Sequence, residues 1–156
     1  MDGSVLFVCL GNICRSPLAE AAFRAEAERL GLDVEVDSAG TGDWHVGSPP
    51  DRRAIAVAAR HGADIRGLRA RQVRPEDFHR FDRIVAADLH NLADLEAMRP
   101  AGAKARLSLL LDHVPGRAGD AVADPYHGGE AHFEETWDDV TAGARGLAQA
   151  VAAEQA

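Results

Sequence analysis

The segment from Cys9 to Ser16 lies between a continuous apolar run and the start of a helical pattern, and this junction constrains the fold more than any other feature. The run before it, residues 5–8 (Val-Leu-Phe-Val), contains no polar residue, which is typical of a central parallel strand covered on both faces. Residues 17–30 keep helical spacing, and Gly31 follows as a C-cap. We therefore predict a strand, a loop and a helix that open a right-handed βαβ unit.

Strand and helix patterns alternate along the rest of the chain. Further strands are predicted at residues 34–38, 84–87 and 106–111, and further helices at residues 51–62, 75–77, 89–98 and 133–151. This alternation predicts an α/β fold, a single doubly wound domain with a four-stranded parallel sheet in the order 2-1-3-4, flanked by helices. Because 156 residues is the size of one domain, we assign residues 1–156 to it. The functional crevice of such a sheet lies beyond the carboxyl ends of its strands, where Cys9 falls.

The first predicted helix has an apolar face and a charged face. Leu18 and the alanines that follow it point toward a core. Glu20, Arg24 and Glu28 recur at intervals of four residues and are expected together on the opposite, charged face.

The loop at residues 9–16 has the features of an anion site with a nucleophile at its floor. A helix N-terminus presents unpaired N–H groups and the positive end of the helix dipole to the loop before it. We predict that Gly11 lets the backbone curl into a nest, and that Arg15, just before the helix, grips two phosphate oxygens. The same positive field favours a nucleophilic Cys9 thiolate, although a lone cysteine there is also typical of simple core packing.

Composition excludes several classes of partner. The formal charge of -8 argues against nucleic acid or an anionic membrane, since both need a basic face. Two cysteines, Cys9 and Cys14, lie too close for a typical disulfide framework, and no secretory signal is recognisable, so a cytoplasmic location is expected. Two cysteines with scattered histidines offer no closed zinc site, and no metal or other cofactor is expected.

A thiolate that attacks a phosphate monoester expels an alkoxide or phenolate, which needs a proton from a general acid. Asp124-Pro125-Tyr126 is the best candidate, because it places an aspartate at the end of a long loop just before the last helix. Asp-Pro is also a common start of a turn, so the motif alone leaves both readings open.

Taken together, these motifs resemble the low-molecular-weight protein tyrosine phosphatases. The pattern of Cys9, five intervening residues, Arg15 and Ser16 is similar to the active-site loop of tyrosine phosphatases in general. The low-molecular-weight family is indicated by residues 17–20 (Pro-Leu-Ala-Glu), by Asp-Pro-Tyr at 124–126 and by three other segments: 38–41 (Ser-Ala-Gly-Thr), 43–47 (Asp-Trp-His-Val-Gly) and 70–72 (Ala-Arg-Gln). The resemblance extends from residue 5 to the final helix.

The resemblance implies a role for each residue of the site. Cys9 would be the nucleophile, Arg15 the oxygen clamp, and Asp124 the acid of the first step and the base of the second. Residues of the loop would bind phosphate or support the loop, and a hydrogen-bond network would steady the thiolate: Leu10, Gly11, Asn12, Ile13, Cys14 and Ser16 with Ser38 and His61. The walls of the substrate slot would be Trp44, Tyr126 and His127, where His127 departs from the second tyrosine that many members carry.

Several alternatives remain at this stage. Trp44 could cover a satellite core, and His61 could be a helix-terminal histidine favoured by the dipole. Cys14 could be a packing residue or, by resemblance, could trap Cys9 in a reversible disulfide.

The implied function is hydrolysis of protein phosphotyrosine by a monomer that phosphate and other oxyanions inhibit. An arginine phosphatase of the same fold typically has threonine where this chain has Ile13, and a related arsenate reductase needs further cysteines. A phosphate-binding module without catalysis would need neither Cys9 nor Asp124.

Overall fold

Four parallel strands form the centre of the computed structural model, which describes residues 2–155. The strands are β1 (Ser4–Cys9), β2 (Glu35–Gly40), β3 (Arg83–Ala86) and β4 (Arg106–Leu109), in the order β2-β1-β3-β4. The predicted α/β architecture and the predicted order 2-1-3-4 are therefore confirmed. In the register of the sheet, Phe7 lies opposite Ser38 on one side and opposite Val85 on the other.

Helices cover both faces of the sheet. They are α1 (Arg15–Arg29), α2 (Arg52–Arg60), α3 (Asp77–Arg80), α4 (Leu89–Met98) and α5 (Glu130–Glu154). Side chains of β1 alternate between two cores, because successive residues of a strand point to opposite faces. Phe7 and Cys9 join the core formed with α1, α2 and α5, whereas Leu6 and Val8 join the core formed with α3 and α4. Every residue of β1 is buried, as the unbroken apolar run indicated.

The first helix begins earlier than the sequence pattern suggested. It starts at Arg15 rather than at Pro17, and its first backbone bond runs from the Leu18 N–H to the Cys14 carbonyl at 3.2 Å. Pro17 is accommodated because the N–H groups of a first helical turn have no partner within the helix. The helix ends at Arg29, with Leu30 as its C-cap, one residue before the predicted end; Gly31 follows the cap with a φ of +69°, which is accessible to glycine at little cost. Arg15 and Ser16 are therefore held by a helix rather than by a free loop.

The fourth strand is shorter than the sequence pattern suggested. It ends at Leu109, and Leu110–His113 forms a 3₁₀ turn. The reason is local: Asp112 turns back and accepts a hydrogen bond from the Leu109 N–H at 2.9 Å, so the chain leaves the sheet. None of the helices within residues 2–155 has the length and apolar character that crossing a bilayer requires.

Candidate active site

The loop at residues 9–16 lies at the carboxyl end of β1, where the sequence placed the functional crevice. Its backbone turns at Asn12, which has a φ of +58° in the left-handed region. Asparagine tolerates this conformation better than most residues do. The prediction that Gly11 supplies the unusual backbone angle is therefore wrong, since Gly11 does not have a positive φ. The space at Gly11 is tight, because a Cβ there would lie 3.0 Å from the His45 ring.

A chain of hydrogen bonds runs from the thiol of Cys9 into the interior. Cys9 Sγ lies 3.0 Å from Ser16 Oγ, and Asn12 Nδ2 donates to Ser16 Oγ at 2.8 Å and to Ser38 Oγ at 3.0 Å. The Ser38 hydroxyl in turn donates to Glu20 Oε1 at 2.8 Å. An amide nitrogen only donates and a carboxylate only accepts, so Ser16 keeps its single proton for the sulfur or for a neighbouring carbonyl. This polarity leaves the Ser16 hydroxyl able to donate to the Cys9 sulfur.

The burial of Glu20 contradicts its expected place on a charged outer face. Its side chain is only 2% exposed, while that of its partner Arg24 is 54% exposed. Arg24 donates to Glu20 Oε2 through Nε at 3.0 Å and through Nη2 at 2.8 Å. The i,i+4 spacing of the two residues indicated an ion pair correctly. It gave no sign that Ser38, on a neighbouring strand, draws the carboxylate inward.

Arg15 is almost fully buried, with its side chain 3% exposed, and it has three oxygen partners. Its Nη1 donates to Asp88 Oδ2 at 2.7 Å and to the Val122 carbonyl at 3.0 Å, and its Nη2 lies 3.6 Å from Asp124 Oδ2. Burial alone would lower the pKa of Arg15, but the Cys9 sulfur and the two carboxylates raise it above its ordinary value. The guanidinium is therefore permanently charged and fixed in direction before any anion arrives.

Asp88 was not recognised from the sequence, although a signal for it was present. It comes two residues after the end of β3 and directly before α4, so it lies at the same edge of the sheet as Cys9. Its second oxygen, Oδ1, caps α4 by accepting from the Asn91 N–H at 2.7 Å. One aspartate thus joins a helix N-terminus to the guanidinium of Arg15.

Most of the predicted site residues line one cavity of about 260 Å³. The mouth is formed by Trp44, Asp124, Tyr126 and His127 together with His45, which belongs to the motif at residues 43–47 but was assigned no role. The floor and sides come from the loop, through Cys9, Leu10, Gly11, Ile13, Cys14 and Arg15. Asn12, Ser16 and Ser38 are buried behind the loop, in the hydrogen-bond chain.

Trp44 is a wall of this cavity and does not cover a satellite core. Its side chain belongs to a residue that is 70% exposed, and its ring rests against Gly42. A Cβ added at Gly42 would lie only 1.9 Å from the ring carbon Cζ3 of Trp44. Gly42 therefore determines where the indole can rest. Of the two interpretations left open by the sequence, the structure supports the pocket wall.

His61 does not join the hydrogen-bond network of the loop. Its Nε2 pairs with Glu134 Oε2 at 2.8 Å, and its ring stacks on Trp137 with centroids 5.2 Å apart. The carbonyl oxygen of the Asn12 side chain accepts instead from the Arg71 N–H at 3.0 Å. His61 thus ties the end of α2 to α5, and the prediction that it supports the loop is corrected.

Cys14 is buried beneath the loop as the residue just before α1. Burial is the main cause that raises the pKa of its thiol, and the charges of Asp51 and Cys9 add to the effect. Both cysteines are free thiols. Among residues 2–155, no group of three or more histidine, cysteine, aspartate or glutamate side chains is placed to hold a metal ion.

The geometry combines four chemical functions within one cavity. A thiol ends a buried strand, a helix N-terminus and a fixed guanidinium offer positive charge, and a half-exposed carboxyl group, Asp124, lies at the mouth. Such a site can hold a tetrahedral oxyanion, attack it with sulfur and exchange a proton with the departing group.

Known proteins resemble this chain over nearly its whole length. The sequence model of one family, described as low molecular weight phosphotyrosine protein phosphatase, matches residues 4–156. A low molecular weight protein-tyrosine-phosphatase of Streptomyces coelicolor is 47% identical over 156 residues, which cover 97% of this chain and 94% of the relative. A low molecular weight phosphotyrosine protein phosphatase of Drosophila melanogaster is 49% identical over 137 residues, covering 86% and 83%. A protein tyrosine phosphatase of Entamoeba histolytica, crystallised with Hepes in its active site, superposes with a TM-score of 0.92 at 33% identity over 99% of both chains.

Proposed function

The chain belongs to the low molecular weight phosphotyrosine protein phosphatase family, and we propose that it hydrolyses phosphotyrosine in proteins through a cysteinyl-phosphate intermediate. One observation carries the proposal: a thiol, a fixed guanidinium and a carboxyl group, from Cys9, Arg15 and Asp124, share a cavity with aromatic side chains at its mouth. Aryl phosphates also fit this arrangement. The positions of the three residues support the roles proposed for them below.

In the first step, the Cys9 thiolate attacks phosphorus in line with the departing phenolic oxygen. A sulfur–phosphorus bond forms and the phosphorus–oxygen bond to the aryl group breaks, while Asp124 gives its proton to the leaving oxygen. Arg15 and the N–H groups of the loop hold the three non-bridging oxygens, where the negative charge is spread. Arg15 needs little reorganisation for this, because its charge and direction are fixed beforehand by Asp88 and Val122.

In the second step, the Asp124 carboxylate takes a proton from water, whose oxygen attacks phosphorus. The sulfur–phosphorus bond breaks, which restores the Cys9 thiolate and releases inorganic phosphate. Because the product is itself an oxyanion that fits the loop, phosphate and similar anions should compete with substrate. Neither step requires a redox partner.

Ile13 and Trp44 favour an aromatic phosphate over phosphoarginine. Both side chains line the cavity, and Ile13 is an apolar residue with no group that could bind the guanidinium of phosphoarginine. Tyr126 adds a second aromatic surface at the mouth, and His127 packs against it edge-on with centroids 5.1 Å apart. His127 thereby fills the position at which many relatives have a second tyrosine.

The test compares matched peptides that carry phosphotyrosine, phosphoarginine or phosphoserine under identical conditions. We expect phosphotyrosine to be hydrolysed fastest, and preference for phosphoarginine would overturn the substrate assignment. Cys9→Ser should abolish turnover of p-nitrophenyl phosphate, so retained activity would refute the nucleophile. Asp124→Ala should slow phosphotyrosine more than substrates with better leaving groups, because only a poor leaving group depends on the proton.

The pH profile gives a further test of the mechanism. The first step needs Cys9 ionised while Asp124 still holds its proton, so kcat/KM should follow a bell-shaped curve with an acidic optimum. A flat rate between about pH 5 and 8 would contradict this pair of roles.

We also propose that the protein acts in the cytoplasm as a monomer. The support for a reducing compartment is that both cysteines are free, and Cys14 has no role in the proposed reaction that requires oxidation. Sedimentation of the purified protein at micromolar concentration should give a mass near 16.6 kDa, and twice that mass would count against the monomer.

A further inference from the structure

We propose that Arg53 is a positioning residue that holds the loop carrying Asp124 in place for proton transfer, an inference that rests on the proposed function. The loop concerned, residues 124–128, is called the acid loop below. Arg53 lies in the first turn of α2, and nothing in the sequence motifs singled it out.

The start of α2 contacts both loops of the site. The Asp51 N–H donates to the Ile13 carbonyl at 2.9 Å, which fixes the helix start against the phosphate-binding loop. Asp51 then caps α2, because its Oδ1 accepts from the Arg53 N–H at 2.8 Å. The position of Arg53 is therefore set relative to the floor of the cavity.

From this position the guanidinium of Arg53 reaches the acid loop. Its Nη2 donates to the Tyr126 carbonyl at 2.9 Å, and its Nη1 donates to the Gly128 carbonyl at 3.0 Å. Its Nε donates to Asp51 Oδ1 and its Nη2 also donates to Asp51 Oδ2, both at 3.0 Å. These hydrogen bonds hold the pKa of Asp51 below its ordinary value, so its carboxylate is ionised and keeps the guanidinium plane in one orientation.

Aromatic contacts complete the environment of Arg53. The central guanidinium carbon lies 4.6 Å from the centroid of the Phe133 ring and 5.6 Å from that of Tyr126. Cation–π attraction at these distances favours a charged group in this place. Tyr126, a wall of the cavity, is thus held both by its carbonyl and by its ring.

Few other bonds hold the acid loop. Within residues 2–155, the two bonds from Arg53 are the only hydrogen bonds that join residues 124–128 to other segments. The remaining bonds of the loop are internal, from the Tyr126 N–H to Asp124 Oδ1 and from the Gly128 N–H to the Pro125 carbonyl. Only Pro125 is buried, while Asp124 and Tyr126 are exposed. Loss of Arg53 would therefore leave the ion pair of Asp124 and the packing of one proline as the main restraints.

A general acid is effective only while it stays within hydrogen-bond reach of the oxygen that it protonates. If Arg53 restrains the acid loop, its removal should reduce the fraction of time that Asp124 spends at that position. The effect should grow with the need for a proton, so it should be larger for phenyl phosphate than for 2,4-dinitrophenyl phosphate. A role of Arg53 in overall stability alone would slow both substrates alike.

The experiment measures kcat/KM for both substrates in Arg53→Ala, Arg53→Lys and the matched control Arg52→Ala. Arg52 is exposed, lies in the same helical turn and carries the same charge. For Arg53→Ala we expect a roughly tenfold loss on phenyl phosphate, part of the 10²–10⁴ that a positioned acid supplies, and a much smaller loss on the dinitrophenyl ester. Arg53→Lys should keep most of the defect, because one ammonium group cannot reach both carbonyls. Arg52→Ala should behave as the wild type.

A double variant tests whether Arg53 acts through Asp124. In the Asp124→Ala background, adding Arg53→Ala should leave the ratio of the two kcat/KM values unchanged within about twofold, since no acid remains to be positioned. The inference would be overturned if the ratio in Arg53→Ala equals that of the wild type, or if the two substitutions change it independently.

Hydrogen exchange separates this inference from the proposed function. Amides of residues 124–129 should exchange faster in Arg53→Ala than in Arg52→Ala, whatever the substrate proves to be. If these amides exchange faster in Arg53→Ala but the wild type hydrolyses neither aryl phosphate, the proposed phosphatase function is refuted and the anchoring role of Arg53 stands. Equal exchange in the two variants would refute the anchoring role. Should Arg53→Ala fail to fold, Arg53→Lys serves for both measurements.

Discussion

Replacing Arg24 with alanine should destabilise the protein far more than an exposed ion pair on a helix ordinarily allows. The reason is the asymmetry of the pair: the Glu20 side chain is 2% exposed and that of Arg24 is 54% exposed. The substitution removes the partner that reaches water and leaves a buried carboxylate without its counter-ion. Among residues 2–155, only the Ser38 hydroxyl would still donate to it.

The expected cost follows from the burial of the two partners. Removing one partner of a fully buried ion pair costs about 3–5 kcal/mol, chiefly because the other charge is left uncompensated. The space vacated by Arg24 opens to solvent, so water can reach Glu20 Oε2, which reduces the cost to about 2 kcal/mol. The loss of the 2.6 Å bond from Arg24 to the Val36 carbonyl acts in the same direction. For a chain of this size, 2 kcal/mol corresponds to a fall in Tm of roughly 4–8 °C.

Urea denaturation with Arg29→Ala as the control measures this effect. Arg29 forms a similar two-bond pair with Glu26 on the same helix, but the Glu26 side chain is 12% exposed against 2% for Glu20, and Arg145 Nε lies 3.7 Å from Glu26 Oε1 as a second partner. The control should lose only about 0.2–1 kcal/mol. Adding Glu20→Gln to Arg24→Ala should recover part of the loss, because no charge then remains buried. Equal losses for Arg24→Ala and Arg29→Ala would refute the reasoning.

Three further outcomes follow from the structure. Gly42→Ala should displace the Trp44 ring, change its fluorescence and raise KM for phosphotyrosine peptides, while Gly67→Ala, whose Cβ meets open space, should do neither. Burial raises the pKa of Cys14, so iodoacetamide at neutral pH should label the nucleophilic thiol and leave Cys14 unmodified; equal labelling would contradict this. Burial lowers the pKa of His113, so the unfolded chain takes up that proton at a higher pH than the folded chain does. The stability from His113 is thus complete above about pH 6.5 and is lost as the pH falls through the folded pKa, a dependence that His113→Gln should weaken.

Local patterns were sufficient to predict the sheet and the loop at residues 9–16. The unbroken apolar run of β1 indicated a strand buried on both faces, and both of its faces are indeed covered. The pattern of β4 was misleading at its end, because apolar Leu110 and Leu111 belong to a buried turn rather than to the strand. Hydrophobicity shows that a residue is buried, but the bond from Leu109 to Asp112 decides where the strand ends.

Contacts between distant segments account for what the sequence did not predict. Glu20 is drawn inward by Ser38, 18 residues away, and Arg15 is fixed by Asp88, 73 residues away. His61 was assigned to the loop by resemblance, yet it pairs with Glu134, also 73 residues away. Spacing along one helix cannot reveal partners on other elements, so the sequence identified the reacting groups better than the groups that orient them.

The charges around Arg15 connect anion binding with proton transfer in the proposed mechanism. That mechanism sets one guanidinium against Asp88, Asp124 and an ionised Cys9, so in it a phosphate dianion would enter a site that already contains several negative groups. Protonation of Asp124 removes one of these charges and also supplies the proton that the leaving group needs. An acidic optimum therefore has two causes, which can be separated with Asp124→Asn. That variant removes the charge without supplying a proton, so it should bind vanadate at neutral pH more tightly than the wild type does, although it turns over aryl phosphates poorly. Weaker vanadate binding by Asp124→Asn would show that repulsion by Asp124 plays no part in the pH dependence.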